Sequence, residues 1–400
     1  MSTKRRTTIR LEGWYYLIVL GFILGGAMLR EINLLMLLAG MMIGPLLVNW
    51  RVAVASLRGV TAKRHLPEAV CAGDLLVVEL QLSNTRRRWG SWAVAIQDTV
   101  QRIEPNQNNE KSRASVLVAH LAAGETVRTS YRGRLMQRGR YRFGPLRVST
   151  GFPLGFIRRV VSFRDDEEIL VYPRIGQLTP EFHRLEHQER HWGPHARANR
   201  TAAEGDFYGL RDWRPGDSRR WIHWRTTARS GNLVVRQFEE QNRRNVAIVL
   251  DLTPTADDSS DSSEHDRGTF EERVETAVRF AATILSQRCR EGGGDVMLAI
   301  AGRDPVRTSG PASPGMLQEI LEHLATAQPP SEDQLEGVLE GVFEEIPPGQ
   351  GVLMISTRPR DQQVDREWSS QQGPAIEAAL EQLTHVDVGS EQFADYFHDA

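Results

Sequence analysis

Asp251 is the residue of this chain best placed to do chemistry. It closes the apolar run of residues 245–250, and Thr253 and Thr255 follow it at steps of two. One short loop therefore carries a carboxylate and two hydroxyls, hard oxygen donors that can ligate Mg²⁺ while leaving positions open for an acidic group on a partner. A second loop could add a hydroxyl from Thr308, Ser309 or Ser313. The competing reading is metal-free: Asp251 caps a helix or hydrogen-bonds the neighbouring loop. A hydrolase could use the same carboxylate, but the chain has no G-x-S-x-G, no Cys–His pairing and no H-E-x-x-H. It also lacks G-x-x-x-x-G-K-[ST], which excludes a P-loop nucleotidase.

Just upstream, residues 204–241 concentrate Arg211, Arg214, Arg219, Arg220, Arg225 and Arg229 among Trp213, Trp221 and Trp224. Arg and Trp are the side chains most enriched at recognition surfaces. Arg214-Pro215-Gly216-Asp217 reads as a tight turn, with Pro presetting φ and Gly supplying positive φ. Asp217 is then expected to cap a helix over 218–229 that presents Trp221 and Trp224 one turn apart on one face, until Gly231 ends it. Residues 233–238 read as a strand. Two uses compete for the block: a packed core whose arginines pair with Asp206, Asp212, Asp217, Glu239 and Glu240, or a binding face. Stacking aromatics with Arg could hold single-stranded nucleic acid, but the interspersed acids and a net charge of −2 weigh against it.

These residues need elements to hold them. Two apolar stretches, 13–29 and 32–50, are long enough to cross a bilayer as a hairpin behind a tail of residues 1–12. Trp14, Tyr15, Tyr16 and Trp50 mark the outer ends, and Lys4, Arg5, Arg6, Arg10, Arg51, Arg58, Lys63 and Arg64 flank them, so both flanks are expected inside. A second span directly behind the first argues against a cleaved signal peptide. Cys71 and Cys289 have no metal or redox spacing, which suits a reducing compartment.

From 65 to 175 the chain alternates in short strands (75–82, 92–96, 115–121, 126–133, 141–148, 169–172), the pattern of an antiparallel β-sandwich. The run Arg86-Arg87-Arg88 beside Trp89 and Trp92 reads as a solvated basic loop. Residues 176–203 form a linker in which His183, His187, His191 and His195 recur every fourth residue. That spacing shares a helical face, but Gly193-Pro194 breaks the helix before His195, which favours a solvated polar helix over zinc. From 245 to 400, apolar strands (246–250, 296–301, 352–356, 385–388) interleave with helices (270–289, 316–327, 335–343, 375–383), implying a doubly wound parallel sheet. The acidic run 257–267 reads as a loop.

Gly209-Leu210-Arg211-Asp212-Trp213-Arg214-Pro215-Gly216-Asp217, Arg220-Trp221-Ile222-His223-Trp224, Thr227-Ala228-Arg229 and Val235-Arg236-Gln237-Phe238-Glu239 together resemble the signature of the bacterial "domain of unknown function 58" family. Arg138-Gly139-Arg140-Tyr141-Arg142-Phe143-Gly144-Pro145-Leu146 and Phe152-Pro153-Leu154-Gly155 agree. The resemblance implies a membrane hairpin, a β domain, the signature block (204–244) and a von Willebrand factor A-like domain. It makes Asp251, Thr253 and Thr255 similar to the Asp-x-Ser-x-Ser of that domain's metal-binding adhesion motif, with Thr357 standing where a third-loop Asp is implied and Asp361 the nearest carboxylate. It further implies a non-enzymatic, membrane-anchored scaffold working beside a MoxR-type AAA+ ATPase in complex assembly or envelope maintenance. In that reading Arg211, Trp213, Arg214, Pro215, Gly216, Asp217, Arg220, Trp221, Trp224 and Arg229 serve partner binding or structure.

Overall fold

The computed structural model describes residues 3–30, 32–103, 111–192, 207–214, 217, 219–238, 245–255, 264–346, 350–359 and 383–399. They form two compact units divided between Tyr172 and Pro173.

The first unit begins with a strand, β1 (Thr3–Ile9), where a tail was expected. Its alternating polar sequence TKRRTTI has no buried face, which hid it from a reading based on hydrophobicity. Two apolar helices follow, α1 (Leu11–Arg30) and α2 (Asn33–Ser56), with mean hydropathies of 1.5 and 1.6. Most of their apolar side chains face outward, Phe22, Leu29 and Leu34 among them. Such surfaces suit lipid, and these are two membrane-spanning helices. Tyr16 ties them together by donating to the carbonyl of Met42 at 2.8 Å.

The chain then returns as β2 (Val60–His65), β3 (Val70–Cys71), β4 (Leu75–Asn84), β5 (Ser91–Arg102), β6 (Lys111–Leu121), β7 (Thr126–Arg134), β8 (Gly139–Phe143), β9 (Leu146–Thr150), β10 (Ile157–Phe163) and β11 (Glu167–Tyr172). The stretch 141–148, expected as one strand, is two, because Pro145 offers no N–H to continue a ladder. One sheet runs β1-β10-β9-β5-β8-β11-β3 with β6 on β5; the other is β2-β4-β7. Their inward side chains share one apolar core, with Val78 and Leu82 from the small sheet and Ile96, Phe143 and Val148 from the large one. Within this core lies an ion pair. Arg64 Nε stands 3.2 Å from Asp98 Oδ2, with both side chains essentially inaccessible. Tyr131 donates to the same carboxylate at 2.8 Å, and Arg64 also donates to the carbonyl of Asp165.

The sheet is seated against the spans. Gly13 lies so close to Phe156 that an added Cβ would stand 2.4 Å from its carbonyl oxygen. Tyr16 stacks on the Phe156 ring at 4.5 Å, and Leu154 donates to Oδ1 of the buried Asn49 at 3.0 Å. Arg86, expected in a solvated loop, caps α2 instead: it donates to the carbonyls of Ala55 and Ser56 at 2.7 and 2.8 Å. A cation on the last carbonyls of a helix complements its dipole.

The second unit opens with β12 (Gln177–Leu178) and α3 (Pro180–Trp192), then β13 (Phe207–Asp212), α4 (Trp224–Ser230) and β14 (Val234–Phe238). Its remainder is β15 (Val246–Asp251), α5 (Glu264–Glu291), β16 (Asp295–Ala301), β17 (Val306–Pro311), α6 (Pro314–Thr326), α7 (Leu335–Glu345), β18 (Val352–Ser356), β19 (Thr384–Asp387) and β20 (Phe397–His398). β20 returns to pair with β12. Five strands form a sheet in the order β17-β16-β15-β18-β19. All its pairings are parallel except β16 with β17, so the sheet expected to be parallel is mixed. The antiparallel edge was missed because its sequence, VRTSGP, carries turn-forming residues. Ala247, Val249, Ala299 and Met354 pack under Leu335, Leu339 and Val342 of α7. Helix α5 contacts β15, β16 and β18, burying Ala277, Ala281 and Leu285. It starts at Glu264, inside the acidic run expected as a loop. The helix expected over 375–383 lies outside the described residues.

Candidate functional site

Two places gather the residues singled out in the sequence. The first is the crevice at the carboxyl ends of β15 and β18. Numbered within this sheet, the strand order is 3-2-1-4-5, so these neighbours leave in opposite directions, the point where doubly wound sheets place their ligands. Asp251 ends β15 there and is fully buried. Its Oδ1 accepts from the Thr253 N–H at 3.1 Å and the Thr253 hydroxyl at 2.7 Å. Its Oδ2 accepts from the Ser356 hydroxyl at 2.9 Å and from Arg358 Nε and Nη2 at 3.1 and 2.9 Å. The third nitrogen of that guanidinium, Nη1, donates to Asp333 Oδ2 at 2.8 Å. Asp333 in turn accepts from the Leu335 N–H at the start of α7. Burial alone would lower the pKa of Arg358, but the carboxylates of Asp251 and Asp333 outweigh it and raise it above the ordinary value.

This donor set does not fit Mg²⁺. Arg358 supplies a fixed positive charge on the carboxylate that would have to hold the ion. Thr357 is buried and donates to the carbonyl of Thr253 at 2.9 Å. The second-loop hydroxyls are engaged elsewhere: Thr308 donates to Glu319, Ser309 bonds Glu345, and Ser313 caps α6 by accepting from the Met316 N–H. Thr255, four residues after Asp251, is buried as well, but a carboxylate already ion-paired with Arg is a poor seat for a hard dication. Among the described residues, no group of three or more His, Cys, Asp or Glu side chains could hold a metal. Asp361 and His195 lie outside the described residues; His183 is on α3, 4.0 Å from Glu186. Sequence reading missed Arg358 and Asp333. The signal was present in Arg358 itself, a cation two residues past a buried strand and facing a conspicuous acid.

The second place is the signature block. Asp217 N donates to the Arg214 carbonyl at 3.0 Å, closing the expected turn; Pro215 and Gly216 lie outside the described residues. Asp217 does not cap a helix. Its carboxylate takes Arg211 in a fork, Nη1 and Nη2 each at 2.7 Å, together with the Arg214 N–H at 2.8 Å. Arg211, and after it Arg214, holds the Asp217 carboxyl below the ordinary range. A single 3₁₀ turn (Arg219–Trp221) follows instead of a long helix. Ile222 bridges to Val235, and only then does α4 begin, capped by His223 accepting from the Thr226 N–H. Gly231 ends it in the left-handed conformation, φ 75°, as its position implied. The break separates the two tryptophans: Trp221 is half-buried and Trp224 is 65% exposed. Arg214, Arg220, Arg225 and Arg229 are also exposed, while Arg211 and Trp213 are half-buried, Trp213 donating to the Asp217 carbonyl at 3.3 Å. β13 and β14 pair as a hairpin that carries all of this.

Two spans, a two-sheet β region and an α/β region with an ion-paired crevice define a membrane-anchored protein with no evident reaction centre among its described residues. Residues 209–357 match the family described as "Protein of unknown function DUF58", so the chain carries a DUF58 domain over that stretch. Over 283 residues, 69% of this chain, it is 27% identical to the "Uncharacterized protein YeaD" of Bacillus subtilis (strain 168), and that alignment spans 64% of the relative's length. Among solved structures, 28% of the chain is similar to 16% of a β-glucosidase from Listeria innocua at 21% identity and a TM-score of 0.20. A stretch of 29% is similar to half of the sporulation control protein Spo0M from Bacillus subtilis at 12% identity and a TM-score of 0.19. Likenesses so slight carry no argument about function.

Proposed function

We propose that this chain is a membrane-anchored, non-enzymatic interaction protein that works with a MoxR-type AAA+ ATPase in complex assembly or envelope maintenance. The observation that carries the reading is the filled crevice. Where an α/β sheet of this strand order would hold a ligand, Asp251 and Asp333 are both engaged by the one guanidinium of Arg358, which suits a rigid docking body better than a reaction chamber. On this reading the five-stranded sheet is a von Willebrand A-like domain, supported by its 3-2-1-4-5 order, and the two-sheet unit is a β-sandwich acting as spacer. The ATPase follows from the family resemblance, and the absence of a P-loop means that any ATP-driven work would come from a partner. Exposed Trp224, with Arg220, Arg225 and Arg229 on the same hairpin, supports a docking face in the signature block.

The test is in-membrane crosslinking of the full chain, followed by purification and mass spectrometry. A MoxR-type ATPase captured by the parent and lost with Trp224→Ala supports the proposal. Capture of other proteins with no ATPase, or of nucleic acid through Trp224, would replace it.

A further inference from the structure

The base of the membrane hairpin contains a cavity of about 90 Å³ lined by Arg5, Val54, Leu57, Arg58, Arg159 and Val161. We propose that it is a headgroup site for an anionic phospholipid, with Arg5, Arg58 and Arg159 holding the lipid phosphate.

Strand register puts two of the arginines together. Arg5 opposes Val161 and Thr7 opposes Arg159, so all four project from one face of the β1–β10 pair. Arg159 is already oriented, because its Nη1 donates to the Thr7 hydroxyl at 2.5 Å. Arg58 reaches the same cavity from the chain just beyond α2. None of the three has a carboxylate partner among the described residues. The stretches that supply them, 3–9, 45–59 and 157–163, contain no Asp or Glu at all. Cations collected without counter-charge repel one another, and an anion relieves that repulsion.

Depth selects a lipid over a soluble anion. The 24 residues of α2 span about 36 Å at ~1.5 Å each, roughly one turn more than a hydrocarbon core of about 30 Å. Exposed Trp50 marks the interface. Val54 lies about 6 Å and Leu57 about 10 Å farther along the axis, at the level of the phosphates. The apolar part of the lining therefore faces the start of an acyl chain and the arginines face its headgroup. Guanidinium forks match phosphate oxygens in geometry as well as charge.

The experiment titrates the full-length chain in neutral detergent with short-chain phosphatidylglycerol, phosphatidylcholine or inorganic phosphate, and reads adducts by native mass spectrometry. Phosphatidylglycerol should bind more tightly than phosphatidylcholine, with added salt weakening it. Each arginine removed should cost roughly fivefold, so Arg5→Gln with Arg58→Gln should cost about 25-fold. Arg58→Gln alone, outside both the helix and the strands, gives a readout that does not depend on sheet pairing. Arg128→Gln with Arg132→Gln, exposed on β7 and equal in charge, should leave binding unchanged. Equal losses in the two double variants would show diffuse attraction and overturn the site, as would no loss in either. Inorganic phosphate binding as tightly as the lipid would make this a free-phosphate site and overturn the lipid assignment.

Discussion

Arg358 lays two guanidinium nitrogens on one oxygen of Asp251, at the point where the five-stranded sheet changes direction. The pair joins the ends of β15 and β18 and, through Asp333, the start of α7. A carboxylate at a strand end looks replaceable from the sequence. Buried and paired as it is, this one is part of the packing.

Asp251→Ala should therefore destabilise the second unit, because it leaves the buried Arg358 with Asp333 alone. Breaking one side of a buried pair costs about 3–5 kcal/mol, and the remaining contact places this case toward the lower figure. Thermal unfolding checks it. Asp251→Leu with Arg358→Met should recover much of the loss, since it removes both charges. Calorimetry with Mg²⁺ or Mn²⁺ should show no binding heat in the parent. Saturable binding would mean that Arg358 yields its place to the ion.

The tryptophans of the signature block should behave differently. Trp224→Ala removes a largely exposed ring and should change stability by no more than about 0.5 kcal/mol. Ile222→Ala, in the buried residue between the tryptophans, should cost about 2–5 kcal/mol. Denaturant midpoints of the two variants make the comparison; a large loss at Trp224 would place that ring in a packed interface.

The Arg211–Asp217 fork gives the block an acid limit. The folded carboxyl titrates below its unfolded counterpart, so its contribution is fully present above the unfolded pKa. It is lost as pH falls through the lower folded value. Asp217→Asn should flatten that part of the stability profile: the variant is less stable than the parent by a constant amount across the neutral range, and the gap closes at acid pH. A variant with the parent's acid slope would show that other carboxylates set it.

In the first unit, Asp98→Ala strands Arg64 in the apolar core and should cost about 3–5 kcal/mol. Tyr131→Phe removes only one donor to Asp98 and should cost about 1–3 kcal/mol. Chemical denaturation of the detergent-solubilised chain ranks the two; the opposite ranking would mean that the hydroxyl, not the guanidinium, satisfies the acid.

Thr3–Ile9 pairs along its length with Ile157–Phe163, so the N-terminal segment and the sheet lie on one side of the bilayer. By the positive-inside rule the flanking Lys and Arg residues should put that side in the cytoplasm. Reporter fusions near Arg10 and at Ala400 should both read as internal.

Much of this was legible because apolar runs and their periods leave strong marks. The spans, the alternation of strands and helices in the second unit, the turn at Arg214–Asp217 and the stop at Gly231 all follow from local residue chemistry. What stayed hidden depends on partners distant in sequence. β1 has no apolar face and exists because β10 receives it. Arg86 reads as one of three basic loop residues until α2 presents its carbonyls. Arg358 sits 107 positions from Asp251, and only the parallel pairing of β15 with β18 brings them together. The long helix expected over 218–229 failed because β14 competes for the backbone at Ile222 and His223.

The position of β1 also governs how this protein can be divided. The membrane hairpin is an excursion from a sheet that begins before it, so the natural place to cut is not after the second span. A chain starting at residue 60 would expose the amides and carbonyls of Ile157–Phe163 along an open border of seven residues. Such a border recruits the nearest extended strand, and in a concentrated sample that strand belongs to another copy. A soluble version that keeps residues 3–9 and replaces the hairpin with a short flexible bridge to residue 60 retains its own border strand and should stay monodisperse.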